Sequence, residues 1–191
     1  MAYASSVEWN SLEPVWVNVA ESGTMDANQG VVNYGSKIQS TGGNNGHQTS
    51  GYMKGTARGS FKIQFKLGHS WGWSSFYAAN VSVVNHHQVT GALFNQSGVN
   101  GIAFINNSSN NVFNVAKGVN GTSTTVTNVT GISNVMISFW RDANNVCYYK
   151  EGSNNTVTLG TFADHWVFFH GAQSPCSCEL LAANNDRETA S

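Results

Sequence analysis

The densest group of side chains able to hold a small molecule is His69-Ser-Trp71-Gly-Trp73-Ser-Ser-Phe76-Tyr77. Trp71 and Trp73 stand at i and i+2, which puts two indoles on one side of an extended strand. An indole with an open face stacks on the apolar side of a sugar ring, while hydroxyl, amide and imidazole neighbours meet the sugar hydroxyls. Gly72 and Ser74 leave room for a ligand to approach. The site expected on this pattern is His69, Trp71, Trp73 and Tyr77, joined by His86 and His87. A competing reading packs Trp71 and Trp73 into the core. Trp9, Trp16, Trp140 and Trp166 read as core or sheet-edge residues.

Other chemistries find less support. His86-His87 could ligate a metal only with a third ligand from elsewhere, and adjacent strand residues point apart. His165 and His170 flank an apolar run and read as its solvated ends. Cys147, Cys176 and Cys178 are an odd count, so no complete disulfide framework forms. Cys-x-Cys without a partner motif is read as small buried residues. Glycoside hydrolysis needs two carboxylates about 5–10 Å apart, and no pair at i, i+2 or i, i+4 occurs before the final segment. No nucleophile elbow accompanies the many serines. The expectation is a chain without catalysis, metal or cofactor.

The elements that must position these groups are strands. Phe61, Ile63, Phe65 and Leu67 alternate with Lys62, Gln64 and Lys66, the signature of an antiparallel strand with one wet face. Similar alternation covers 15–19, 31–38, 77–84, 101–105, 112–116, 124–129, 135–141, 146–150, 156–162, 166–169 and 179–182. Turn clusters rich in Gly, Asn and Ser separate them at 41–46, 95–100, 106–111, 117–121 and 152–155. No sustained helical stripe occurs. The expected architecture is all-β: one antiparallel β-sandwich domain of jelly-roll type over residues 1–191, with about a dozen strands. Its core spans roughly 14–183, and 184–191 form a polar tail.

Composition narrows the partners. Of 191 residues only 10% are charged and the net charge is -1, whereas there are 24 Asn, 22 Ser, 20 Gly and 14 Thr. Nine scattered basic residues do not suit nucleic acid, which needs clustered Lys and Arg. No apolar run of about 18 residues is present, so membrane insertion is not expected. No signal peptide is visible near the start. Amides and hydroxyls suit sugars, which present paired donors and acceptors and no charge. Asn-x-Ser/Thr acceptors occur at Asn80, Asn95, Asn106, Asn107, Asn120, Asn128 and Asn154; glycosylation of several would mark them as outward loops.

The stretch Asn134-Val-Met-Ile-Ser-Phe-Trp-Arg-Asp142-Ala-Asn144-Asn145-Val-Cys-Tyr-Tyr-Lys-Glu-Gly152 is a strand, a tight turn and a returning aromatic strand. It resembles the back hairpin of concanavalin A-like jelly rolls, the group that holds laminin-G, SPRY-type and many lectin-like domains. The segment 162–183 resembles the closing strands of such a domain, and 59–67 a strand of the opposing sheet. The resemblance implies sugar or peptide recognition through loops at one rim or along a concave face. The acidic calcium loop of legume-type lectins and the Glu-x-Asp-x-x-Glu strand of related glycoside hydrolases are both missing from this sequence.

The first expectation is therefore a non-catalytic recognition domain for a glycan or cell-surface receptor, comparable to a viral or phage attachment head. That reading carries a virion or extracellular location and a homo-oligomer, commonly a trimer. The alternatives are a capsid, fibre or shell domain that assembles with its own copies, and a cytoplasmic SPRY-like module that docks a peptide.

Overall fold

In the computed structural model the alternating segments become extended strands paired edge to edge. The structure describes residues 12–18, 31–33, 35–40, 48–55, 57–69, 73–80, 97–107, 112–130, 134–163, 166–173 and 176–184. Fourteen strands lie among them: β1 (Trp16–Asn18), β2 (Val31–Asn33), β3 (Lys37–Ser40), β4 (Gln48–Met53), β5 (Phe61–His69), β6 (Trp73–Asn80) and β7 (Asn100–Asn107). There follow β8 (Val112–Val119), β9 (Thr122–Thr130), β10 (Met136–Arg141), β11 (Val146–Glu151), β12 (Val157–Thr161), β13 (Trp166–Gln173) and β14 (Cys176–Asn184). One sheet has the order β1-β4-β13-β6-β7-β8-β9 and the other β12-β11-β10-β5-β14-β3-β2, antiparallel throughout. They form the two layers of the expected jelly-roll sandwich. We call the first the β6 sheet and the second the β5 sheet. The late strands close the centre of each layer: β13 lies between β4 and β6, and β14 between β5 and β3.

Aromatic rings interlock between the layers. Phe65 of the β5 sheet stacks on Phe76 of the β6 sheet at 4.1 Å. Phe104 meets Phe139 edge-on at 5.3 Å, and Phe61 meets Phe168 at 5.4 Å. Each such pair adds about 0.5–1.5 kcal/mol beyond area burial. Trp16 and Trp166 are core residues, as expected. Polar links also cross the gap: Trp16 Nε1 donates to the Cys178 carbonyl (3.2 Å) and Ser74 Oγ to the Ser177 carbonyl (2.7 Å).

Several sequence expectations change. The stretch 31–38 is two strands, because Gly35 with φ +79° turns the chain between β2 and β3. The turn at 117–121 shrinks to Asn120-Gly121, both at positive φ, which suits a two-residue hairpin. The strand expected at 77–84 runs from Trp73 to Asn80. His170 lies within β13, opposite Phe76 and Gly51, rather than at a strand end. Asn80 and Asn106 are buried, with side-chain amides donating to the carbonyls of Gly98 and Leu67. Neither marks an outward glycosylation loop.

Candidate functional site

β5 delivers His69 at its last position, opposite Cys176 of β14. β6 starts at Trp73, opposite Asn107 of β7 and Gln173 of β13. These two strands belong to different layers, so His69 ends a strand of one sheet and Trp73 begins a strand of the other. Ser74 and Asn106 seal that end from inside by donating to carbonyls of the opposite layer, at 2.7 and 3.4 Å. Trp71, His86 and His87 lie outside the described residues.

Tyr77 departs from its expected role. Its neighbours Phe76 and Ala78 belong to the inter-sheet core, so Tyr77 stands on the other face of β6. That face is covered too: Tyr77 is only 6% exposed, and Ser75, Ala79 and Ala103 beside it are buried. Burial pushes its phenol above the usual range, partly offset by a hydrogen bond with Ser75. Its ring therefore offers no open face to a ligand in this structure.

The open aromatic surface lies on the β5 sheet instead. In β10 the residues Ile137, Phe139 and Arg141 face the core, which leaves Met136, Ser138 and Trp140 on the outer side. β11 likewise buries Cys147, Tyr149 and Glu151 and turns Tyr148 and Lys150 outward. Trp140 and Tyr148 are register partners, and their partly exposed rings stack at 5.5 Å with 19° between planes. Trp140, read from sequence as core or edge, is thus half of a surface platform. Around it stand Lys62 opposite Trp140, Gln64 donating to Ser138 Oγ (3.2 Å), and Lys150 opposite Ser138.

Arg141 and Asp142 fix this platform from beneath and from its end. Arg141 is 2% exposed; its Nε donates to the Gly59 carbonyl and its Nη1 to the Phe162 carbonyl, both at 2.9 Å. The guanidinium also lies 5.4 Å from the Phe61 ring centroid, a cation–π contact. Asp142 accepts from the backbone N–H groups of Asn144 (2.8 Å) and Val146 (3.0 Å), and from the Tyr148 hydroxyl at 3.1 Å. Desolvation and the adjacent Asp142 carboxylate push the Tyr148 phenol upward, so it stays a neutral donor. Asn145, at φ +62°, turns the chain back into β11.

Among the described residues the remaining carboxylates do not converge. Glu13 pairs with Lys54 at 3.0 Å, the one ion pair among the described residues. Glu151 is buried with Oε1 accepting from Asn154, and Glu179 faces outward between Lys66 and Lys37. Among the described residues no three His, Cys, Asp or Glu side chains group as a metal site. A cavity of about 250 Å³ opens between β8 and β12, where Lys117 Nζ donates to the Leu159 carbonyl at 3.3 Å. It contains none of the residues expected from sequence.

No protein-family model and no curated protein matches the chain. Solved structures do. A TRIM65 PSpry domain superposes with a TM-score of 0.56 at 9% identity, covering 91% of this chain and 90% of that one. A Bacillus licheniformis β-glucanase gives 0.54 at 11% identity over 94% and 95%, and a native glycosidic hydrolase 0.56 at 11% over 96% and 95%. At such identities the likeness concerns the fold alone. The hairpin from Asn134 to Gly152 pointed to that fold: the chain is a jelly-roll β-sandwich that resembles concanavalin A-like domains at the level of fold.

Proposed function

We propose that this chain is a single non-catalytic recognition domain that binds glycan on a cell surface, as the head of an attachment protein. The observation that carries the reading is the stacked, partly exposed Trp140–Tyr148 pair on the outer sheet face, beside the half-buried Gln64, whose amide donates to the buried Ser138 hydroxyl. Rings held by a rigid sheet lose little freedom on binding, and their polar neighbours can meet sugar hydroxyls. The rim with His69, Trp71 and Trp73 is proposed as a second contact, joined by His86 and His87. The carboxylates among the described residues, Glu13, Asp142, Glu151 and Glu179, lie dispersed, which supports binding over hydrolysis, since hydrolysis requires two that converge.

The test is a glycan array probed with the wild-type protein, Trp140→Ala and Trp73→Ala, with the oligomeric mass of each sample measured. Selective binding that Trp140→Ala weakens by about 30-fold or more, at unchanged fold, is the expected result, since a central aromatic anchor is worth about 2 kcal/mol or more. Loss only in Trp73→Ala would move the site to the rim. A blank array with concentration-dependent assembly would favour the self-assembling shell protein instead.

A further inference from the structure

The outer face of the β5 sheet carries more than aromatics. Four of the nine basic residues of the chain occur on it: Lys37, Lys62, Lys66 and Lys150. Lys62 sits directly across from Trp140, and Lys150 lies two residues beyond Tyr148 on the same strand. Strand geometry places both within about 5–7 Å of the ring pair, measured between backbones. The two acidic groups of the face are differently engaged. Asp142 serves its own turn and the Tyr148 hydroxyl, and Glu179 stands by register between Lys66 and Lys37, two rows removed from the rings. Around the platform itself the charge is positive, on a chain whose net charge is -1.

We infer that the Trp140–Tyr148 platform takes an acidic glycan, its ring stacked on the aromatics and its carboxylate met by Lys62 and Lys150. This rests on the glycan reading above and names the sugar class. A neutral sugar gains nothing from the two ammonium groups, whereas a uronate or sialate gains one or two charge-assisted contacts. The spacing also disfavours a dense polyanion. Four lysines interrupted by two carboxylates, with no arginine on the face, give too little counterion release to hold a nucleic acid.

The probes are a galacturonate oligosaccharide with its carboxyl-reduced counterpart, and sialyllactose with lactose, titrated against the wild-type protein by calorimetry. The expected result is about ten-fold tighter binding of the acidic member of at least one pair at 50 mM salt. That gap shrinks at 0.5 M salt, where screening shortens to a few Å. Each of Lys62→Gln, at an exposed position, and Lys150→Gln, at a half-buried one, leaves the fold intact, lowers acidic binding by about two- to five-fold and leaves neutral binding unchanged. Trp140→Ala weakens both. Equal affinity within each pair, still lost in Trp140→Ala, overturns the acidic preference while the glycan reading stands. Binding to neither pair overturns the inference, and a blank array beside it overturns the glycan reading as well.

Discussion

Arg141 is a cation in the interior whose Nε and Nη1 donate to the carbonyls of Gly59 and Phe162, and replacing it measures what those bonds contribute. Arg141→Met keeps the volume and apolar stem but removes both donors. The bond to the Phe162 carbonyl is buried, so its loss leaves an acceptor that water cannot reach, at a cost of about 1.5–3 kcal/mol. The bond to the Gly59 carbonyl is closer to solvent and counts for about half of that. Adding the contact with Phe61 and subtracting the desolvation relieved by losing a charge, the net cost is about 2–4 kcal/mol. For a chain of 191 residues that lowers the melting temperature by about 5–15 °C. Arg141→Lys reaches one carbonyl and falls roughly halfway. Differential scanning calorimetry of the three proteins decides it. A Met variant that melts within about 2 °C of wild type would refute the anchoring role, and with it the idea that Arg141 steadies β10 under Trp140.

Two further outcomes follow from local geometry. A Cβ on Gly68 would come within 2.5 Å of Ser177 Oγ and 3.0 Å of Asn134 Oδ1, so Gly68→Ala should lower the urea midpoint by about 1–2 kcal/mol equivalent. Adding Ser177→Ala should restore most of it; no restoration would mean the strain lies elsewhere. Burial pushes the Cys147 thiol up to about 12, against the pull of Arg141, with Asp142 adding slightly. A folded value above the unfolded 9.0 means its contribution is intact below pH 9 and is lost as pH rises toward 12. Cys147→Ala should flatten that part of the stability profile, and thiol reagents at pH 8 should label Cys147 only after unfolding; rapid native labelling would contradict its burial.

The wet-faced alternation of residues 61–67 was legible because one side of the β5 sheet meets solvent. The β6 sheet was harder. Phe76-Tyr77-Ala78-Ala79 is buried on both sides, so its run is continuous rather than alternating, which is why Tyr77 read as a surface ring. β4 escaped notice because Gln-Thr-Ser-Gly-Tyr-Met has scarcely an apolar side to read; its pairing with β1 and β13 makes it a strand. Trp140 was misread for a sharper reason. In Phe139-Trp140-Arg141 hydrophobicity alone would bury the Trp and expose the Arg, but the strand does the reverse. The carbonyls of Gly59 and Phe162, distant in sequence, help make an inward Arg acceptable. His69 and Trp73 were legible as residue types; that one ends a strand of one layer and the other begins a strand of the second is topology, which no local pattern encodes.

The central placement of β13 and β14 has a consequence for how the chain is made. On a ribosome, β5 emerges well over a hundred residues before β14, its partner along one edge. At ~5–20 residues per second, its Phe61–Leu67 row waits on the order of ten seconds for that partner. No nascent fragment ending before residue 166 can complete either layer, because the gap falls at the middle of each. Folding of this domain is therefore held until β13 and β14 have emerged, and a chain stopped short of them displays unpaired strand edges to the quality-control machinery of the cell.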